Sequence, residues 1–332
     1  MQMNNGRDKL PWSQEIWDRI DQAVHEECRR TKIAQKFLPI HGPVPSGTLT
    51  VPSDTVIVEG QTLQIIEAAT TPLVELLVEF TLTPQQVERE GELMTAVKLA
   101  TRAANLLAQA EDVVLFQGQA AIDGTGGPQH PLFRDRRVQV RSGPAGTGLL
   151  NAATADTQVV RVPALDPSER PLGWGENAFR GAADAYSRLQ GGDGLAQAHY
   201  GPYALVENFV QWADAYSPLE DESVVITADR IKPLVADGVY GRTMQNDGQN
   251  EHAHETHFYG TGTLPPFRGI MVSLGGNTMD LVVGIPPTVA FLTEDADGDY
   301  RFRVFERFAL RLKDTSAVMR LEFEEPRSPL PG

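Results

Sequence analysis

Residues 72–90 read PLVELLVEFTLTPQQVERE. Val74, Leu76, Val78, Phe80 and Leu82 fall on one face of an extended chain, and Glu75, Glu79 and Thr81 on the other. That period of two predicts a half-buried strand over 72–82. Thr83, Pro84 and Gln86 then supply a cap, a proline at the first helical position and a capping-box partner. One long helix is expected from there to about Phe116, with Gly91 as its weak point and Gly118 as its stop. Its stripe of Val97, Ala100, Ala104, Leu107 and Ala108 is small enough for close packing.

Upstream, 10–37 predicts a helix with Pro11 near its start and Ser13 as cap. Ile16, Trp17, Ile20, Ala23 and Val24 recur at three-to-four spacing, and Cys28, Ile33 and Phe37 extend the stripe, so this terminal helix must dock on something. Residues 39–70 hold short β-like pieces among Pro43, Pro45, Gly47, Pro52 and Gly60, with no compact core pattern, and read as a long excursion toward a neighbour.

Downstream, 118–175 reads as loops and a β-hairpin around 137–141 and 158–162. An amphipathic helix follows over 176–190, then a short strand at 201–208 and helical pieces at 209–216 and 228–236, the second disturbed by Pro233. The chain ends in β-structure. Strands are expected at 270–274, 281–284, 289–293, 300–312 and 318–323, with Asp297–Gly298 as a hairpin turn. Phe302, Val304, Phe308, Leu310 and Leu312 share one face of the 300–312 strand, and Arg301, Arg303, Arg307 and Arg311 share the other.

The chain has 332 residues, with 29 Lys and Arg against 44 Asp and Glu, for a formal charge of −15. That balance argues against a nucleic-acid coat and against attachment to anionic lipid. Cys28 is the one cysteine, which excludes an intrachain disulfide and points to a reducing cytoplasm. No stretch of about 18 apolar residues occurs, so no transmembrane helix is expected.

The candidate chemistry is thin. His252, His254 and His257 lie in EHAHETHF, and three imidazoles within six residues could bind Zn²⁺, Ni²⁺ or Cu²⁺; a solvated His-rich loop explains the same run. Asp295, Asp297 and Asp299 lack the spacing of a calcium loop and suit a tight turn. The glycines at 124–127 and 143–148 lack the Lys-Ser/Thr ending of a phosphate loop, and there is no G-x-S-x-G elbow. No catalytic constellation emerges, so no enzymatic activity is expected.

The order of elements is that of a tailed-phage capsid subunit. The segments WDRIDQAVHEECRRTKIAQKFLPIHGP (17–43), PLVELLVEFTLTPQQVERE (72–90), AEDVVLFQG (110–118), GPYALVEN (201–208), LVADGVYGR (234–242), NTMDLVVG (277–284) and RFRVFERFALRLKDTSAVMRLEF (301–323) together resemble the encapsulins, the linocin-type shell proteins of bacterial and archaeal nanocompartments. The resemblance implies an α+β, HK97-type major capsid fold. It divides the chain into an N-terminal helical arm (1–38), a P-domain strand (39–48), an E-loop (49–71), the P-domain with its spine helix (72–145), an A-domain (146–278, with an insert at 243–266), returning P-domain strands (279–323) and a flexible tail (324–332).

It also implies a structural function: self-assembly of about 60 copies, or a multiple, into a closed icosahedral shell. Such a shell encloses a ferritin-like, hemerythrin-like or peroxidase cargo that carries a C-terminal targeting peptide. A phage or prophage major capsid protein is the alternative. Carried over by position, the cargo groove would involve Trp17, Ile20, Ile33, Phe37 and Val304, and Asp237 and Tyr240 would lead into a pore loop; the insert that follows, with His252, His254 and His257, is expected to decorate that pore, with an exterior loop as the alternative. Some members bind flavin through a Trp just after the strand; here that stretch is Thr83, Pro84, Gln85, so no cofactor is expected. The excess length over compact members falls in 119–175 and 243–266.

Overall fold

The structure is a computed structural model, which describes residues 5–59, 62–125, 127–165, 173–191, 198–217, 225–236 and 256–326. The N-terminal helix spans Gln14–Thr31, shorter than the stripe suggested, with 3-10 turns at Arg7–Lys9 and Ala34–Lys36 on either side. Ser13 takes the N-cap position, but its side chain makes no capping bond.

After the two-residue strand β1 (Ile40–His41), the excursion forms a long antiparallel hairpin of β2 (Thr50–Glu59) and β3 (Thr62–Pro72). β4 (Val74–Leu82) follows at once, and Thr83 and Gln86 form the expected capping box over Pro84–Glu88.

The long helix is broken, however, and not at Gly91. A turn at Glu90–Leu93 precedes Met94, which is left-handed at φ 50°, and the spine helix proper runs Thr95–Gln117. Glu90 makes the break stable. Its carboxylate accepts the orphan amides of Ala96 (2.7 Å) and Val97 (3.3 Å), so a negative group caps the new helix start. Gly118 ends the spine as expected, for a packing reason as well. A Cβ there would lie 2.3 Å from the amide nitrogen of Gly148.

Two five-stranded sheets flank the spine. The first has the order β1-β10-β11-β4-β5, where β5 is Gln139–Ser142, β10 is Met279–Glu294 and β11 is Tyr300–Leu312. The second has the order β6-β12-β9-β7-β8, with β6 at Val159–Val162, β7 at Tyr203–Asn208, β8 at Phe258–Thr261, β9 at Arg268–Ser273 and β12 at Val318–Phe323. The hairpin expected from 137–141 and 158–162 does not exist. β5 pairs with β4 and β6 pairs with β12, in different sheets. The strands expected at 281–284 and 289–293 are one continuous β10, whose ladder shifts register around Pro286 and Pro287. The 295–299 turn joins β10 to β11: Asp295 accepts the amides of Asp297 and Asp299 through its carboxylate, both at 3.0 Å.

One continuous core runs from the N-terminal helix through the first sheet and the spine to one face of the second sheet, where it includes Ala204, Val206, Ile270 and Val272. The helix Glu176–Leu189 covers the other face with a separate core around Trp174, Leu205 and Met271. Alternate residues of β7 and β9 thus serve two cores, as the strand period requires. The arginines of β11 meet carboxylates across the strands, Arg301 with Glu79 and Arg303 and Arg307 with Glu75, the charge ladder expected of such a face.

Candidate functional site

The N-terminal helix is built into the body. Its Trp17, Ile20, Val24 and Cys28 are buried against the spine and β10. Trp12 meets Trp17 edge-on (4.9 Å between centroids) and stacks on Phe302 (5.4 Å, 10°), which stacks on Phe80 (5.2 Å, 7°). Arg7 forms a two-pronged pair with Asp21, both bonds 2.7 Å, and lies over the Trp17 ring at 4.7 Å. Of the residues expected to line a cargo groove, Trp17, Ile20, Phe37 and Val304 are all in the core and Ile33 is half-buried against it. Phe37 stacks on Tyr259 at 6.0 Å. The structure therefore gathers these residues as packing partners within the chain.

Just past this helix lies a group that the sequence reading passed over. Lys32 Nζ bonds the carboxylates of Glu111, on the spine, and Glu306, on β11, and all three side chains are at most 2% exposed. Gln35 donates to the other oxygen of Glu111 at 2.9 Å. Asp112 accepts the amides of Ile33 (2.8 Å) and Ala34 (3.0 Å), which caps the turn that follows the helix. Burial pushes the Asp112 carboxyl up to about 7, against those two amide bonds. One signal was available in the sequence. Glu306 sits in step with Phe302, Val304, Phe308 and Leu310 on the inward face of its strand, and a charged residue there needs a buried partner.

The hairpin β2–β3 is a sheet by itself, joined to neither of the other two. Leu49, Ile65 and Ile66 are exposed on it. Its base is anchored by Val51 and Leu73 packing on Val282 and Ala309 and by Arg311, which bonds the Pro52 carbonyl at 3.0 Å. A two-stranded ribbon with exposed isoleucines is marginal in water by itself.

Of the pore-loop residues, Asp237, Tyr240, His252 and His254 lie outside the described residues. His257 is buried. Its amide donates to Val235, its carbonyl accepts from Leu205, and its Nδ1 lies 3.0 Å from the Tyr259 hydroxyl. No group of three His, Cys, Asp or Glu is placed to hold a metal ion among the described residues.

A Ser–His–Asp cluster does occur where β11 crosses to β12. His199 Nε2 lies 2.7 Å from Ser316 Oγ, and Asp314 is close to both. Its wiring runs opposite to that of a nucleophile. The Ser316 hydroxyl donates to Asp314, the group that in a nucleophilic triad would instead orient the histidine. Glu207, in the middle of the second sheet, is fully buried, and neither carboxylate oxygen has a partner among the described residues. Burial and the nearby Asp214 push it up to about 8.

Comparison with known proteins fits this architecture. Residues 1–130 match the Linocin_M18 family, described as encapsulating protein for peroxidase. The chain is 25% identical, over 96% of both chains, to the type 1 encapsulin shell protein EncA of Myxococcus xanthus. It is 23% identical to a diheme-cytochrome-encapsulin shell fusion protein of Kuenenia stuttgartiensis, over 93% of this chain and 73% of that one. Among solved structures, the virus-like particle from Pyrococcus furiosus superposes with a TM-score of 0.61 at 15% identity, over 93% of this chain and all of that one. The capsid of Myoviridae phage XM1 gives 0.53 at 13% identity, over 88% and 92%. The fold is thus the α+β, HK97-type capsid fold. No helix among the described residues is long and apolar enough to cross a membrane.

Proposed function

We propose that this chain, similar to encapsulin shell proteins along nearly its whole length and built on the capsid fold, is the shell-forming subunit of an encapsulin nanocompartment. The observation that carries this reading is the end-to-end similarity to a shell protein, 96% of each chain. The exposed hairpin supports it. A ribbon that cannot bury Ile65 and Ile66 on its own body gains a surface when copies assemble. In this reading the shell contains about 60 copies or a multiple, encloses a cargo protein in the cytoplasm and needs no cofactor. Cargo of the ferritin-like, hemerythrin-like or peroxidase type would dock through a C-terminal peptide near the N-terminal helix. Because Trp17, Ile20, Phe37 and Val304 are packed inside, that peptide would meet the outer margin of this seat, where Ile33 is partly open.

The capsid of a phage or prophage is the second reading, favoured by the fold shared with phage XM1. A net charge of −15 per copy leans away from packaging DNA. Negative-stain electron microscopy of the chain expressed alone tests the shell reading. Uniform closed particles of a few tens of nanometres are expected. Monomers or dimers, unchanged when the product of a neighbouring gene is co-expressed, would overturn it. Particles that fill with nucleic acid would favour the capsid.

A further inference from the structure

Lys32, Glu111 and Glu306 come from three elements distant in sequence: the turn after the N-terminal helix, the spine and β11. One lysine faces two carboxyls in a space closed to water. With both carboxyls ionised the group would carry a net negative charge, and an unbalanced buried charge is strongly destabilising. Glu306 Oε1 has no hydrogen-bond partner among the described residues. Its carboxyl holds its proton well above the ordinary range because it is buried and faces Glu111, with Lys32 opposing. Other titratable groups surround the cluster. Cys28, on the N-terminal helix, has its thiol pushed up to about 12 by burial. Glu27, on the same helix, is held low by Asn105 and Arg30 although burial opposes them, and Asp112 lies beside Glu111 on the spine.

We propose that this triad is a proton-dependent latch for the N-terminal helix: one proton on the carboxyl pair balances Lys32 and keeps the helix docked, and the helix loosens as pH rises and that proton is lost. A carboxyl that keeps its proton better when docked favours docking fully below its ordinary value of 4.5. That advantage is lost progressively as pH rises toward the docked value. Between the two, each pH unit changes the docked-to-undocked ratio up to about tenfold for one proton. The latch stands on the single chain and does not depend on shell formation.

Cys28 is a built-in reporter. It is the chain's one cysteine, lies on the buried face of the helix and donates to the Ala104 carbonyl of the spine at 3.8 Å. The experiment labels the thiol of the full chain between about pH 5.5 and 9, with rates normalised to an unstructured cysteine peptide. This window starts above the ordinary carboxyl value of 4.5 and ends at the ordinary thiol value of 9.0, and Asp112, at about 7, titrates within it in every chain compared. Light scattering at each pH separates helix release from any change in assembly. Normalised labelling of the unsubstituted chain should rise with pH, by up to about tenfold per unit. Glu306→Gln keeps the size and a hydrogen bond but cannot ionise, and should stay protected across the window. Glu207 contributes to global opening equally in both chains, so the difference between them isolates the latch. Glu111→Gln is the second variant and should flatten the profile in the same way. Equal slopes in all three chains, or a flat profile in the unsubstituted one, would overturn the latch.

Discussion

Asp280 and Arg311 are direct cross-strand partners on β10 and β11, and both of their guanidinium–carboxylate bonds are 2.7 Å long. Lys313 approaches the same carboxylate at 2.8 Å, and Arg311 reaches on to the Pro52 carbonyl. The pair therefore ties the returning strands to the root of the hairpin. Removing the acid leaves two buried cations unpaired, so Asp280→Ala should cost about 3–5 kcal/mol in a denaturant titration. A change under about 1 kcal/mol would contradict this placement.

The same carboxylate sets an acid limit. Arg311 and Lys313 hold Asp280 below its ordinary value of 3.8 although burial opposes them. Its contribution is present above that value and is lost as pH falls through the lower folded one. Thermal melts below about pH 4 should show this loss in the unsubstituted chain and not in Asp280→Asn.

Glu207 acts in the other direction. Its folded value of about 8 lies above the ordinary 4.5, so stability falls as pH rises from 4.5 toward 8 and then levels off. The slope for one proton is about 1.4 kcal/mol per pH unit. Glu207→Gln should remove that slope and melt higher than the unsubstituted chain at pH 8. An unchanged slope would mean that water reaches the carboxyl.

Phe302 stacks between Trp12 and Phe80 and is fully buried. Phe302→Ala should cost about 3–5 kcal/mol by chemical denaturation. The N-terminal segment and β4 should loosen together, which hydrogen exchange at Trp17 and Val78 would report.

Glu90→Ala tests the break before the spine helix. Losing a cap that serves two amides should cost about 1 kcal/mol, with extra exchange confined to the helix start. Uniform exchange along the spine would deny the cap its local role.

The paired change Ile65→Asp and Ile66→Asp tests the hairpin. Both side chains are exposed, so the melting temperature of the single chain should hardly move. In the shell reading, particles seen by electron microscopy should disappear. Intact particles would place the inter-subunit contact elsewhere.

Local pattern was enough to read β4, the capping box at Thr83, the spine with its end at Gly118, the N-terminal helix and the turn at Asp297–Gly298. Each follows from backbone period or turn chemistry within a few residues. The resemblance carried the reading further, to the capsid fold and a shell.

What only the tertiary structure decided is long-range. The 137–141 and 158–162 strands looked like partners because they are neighbours in sequence, yet their hydrogen bonds go to β4 and β12. Strand pairing depends on which edges the rest of the chain leaves open. The break at Met94 depends on Glu90 folding back onto amides six and seven residues ahead. Trp17 and Ile20, expected to line a groove, became core because the helix that bears them docks on the spine, and Phe37 and Val304 are packed into the same core. Lys32 remained unnoticed for the same reason. It follows Arg29, Arg30 and Thr31 at the polar end of the helix, and the two carboxylates that justify burying it are 79 and 274 residues away, so only the folded chain brings the three charges together.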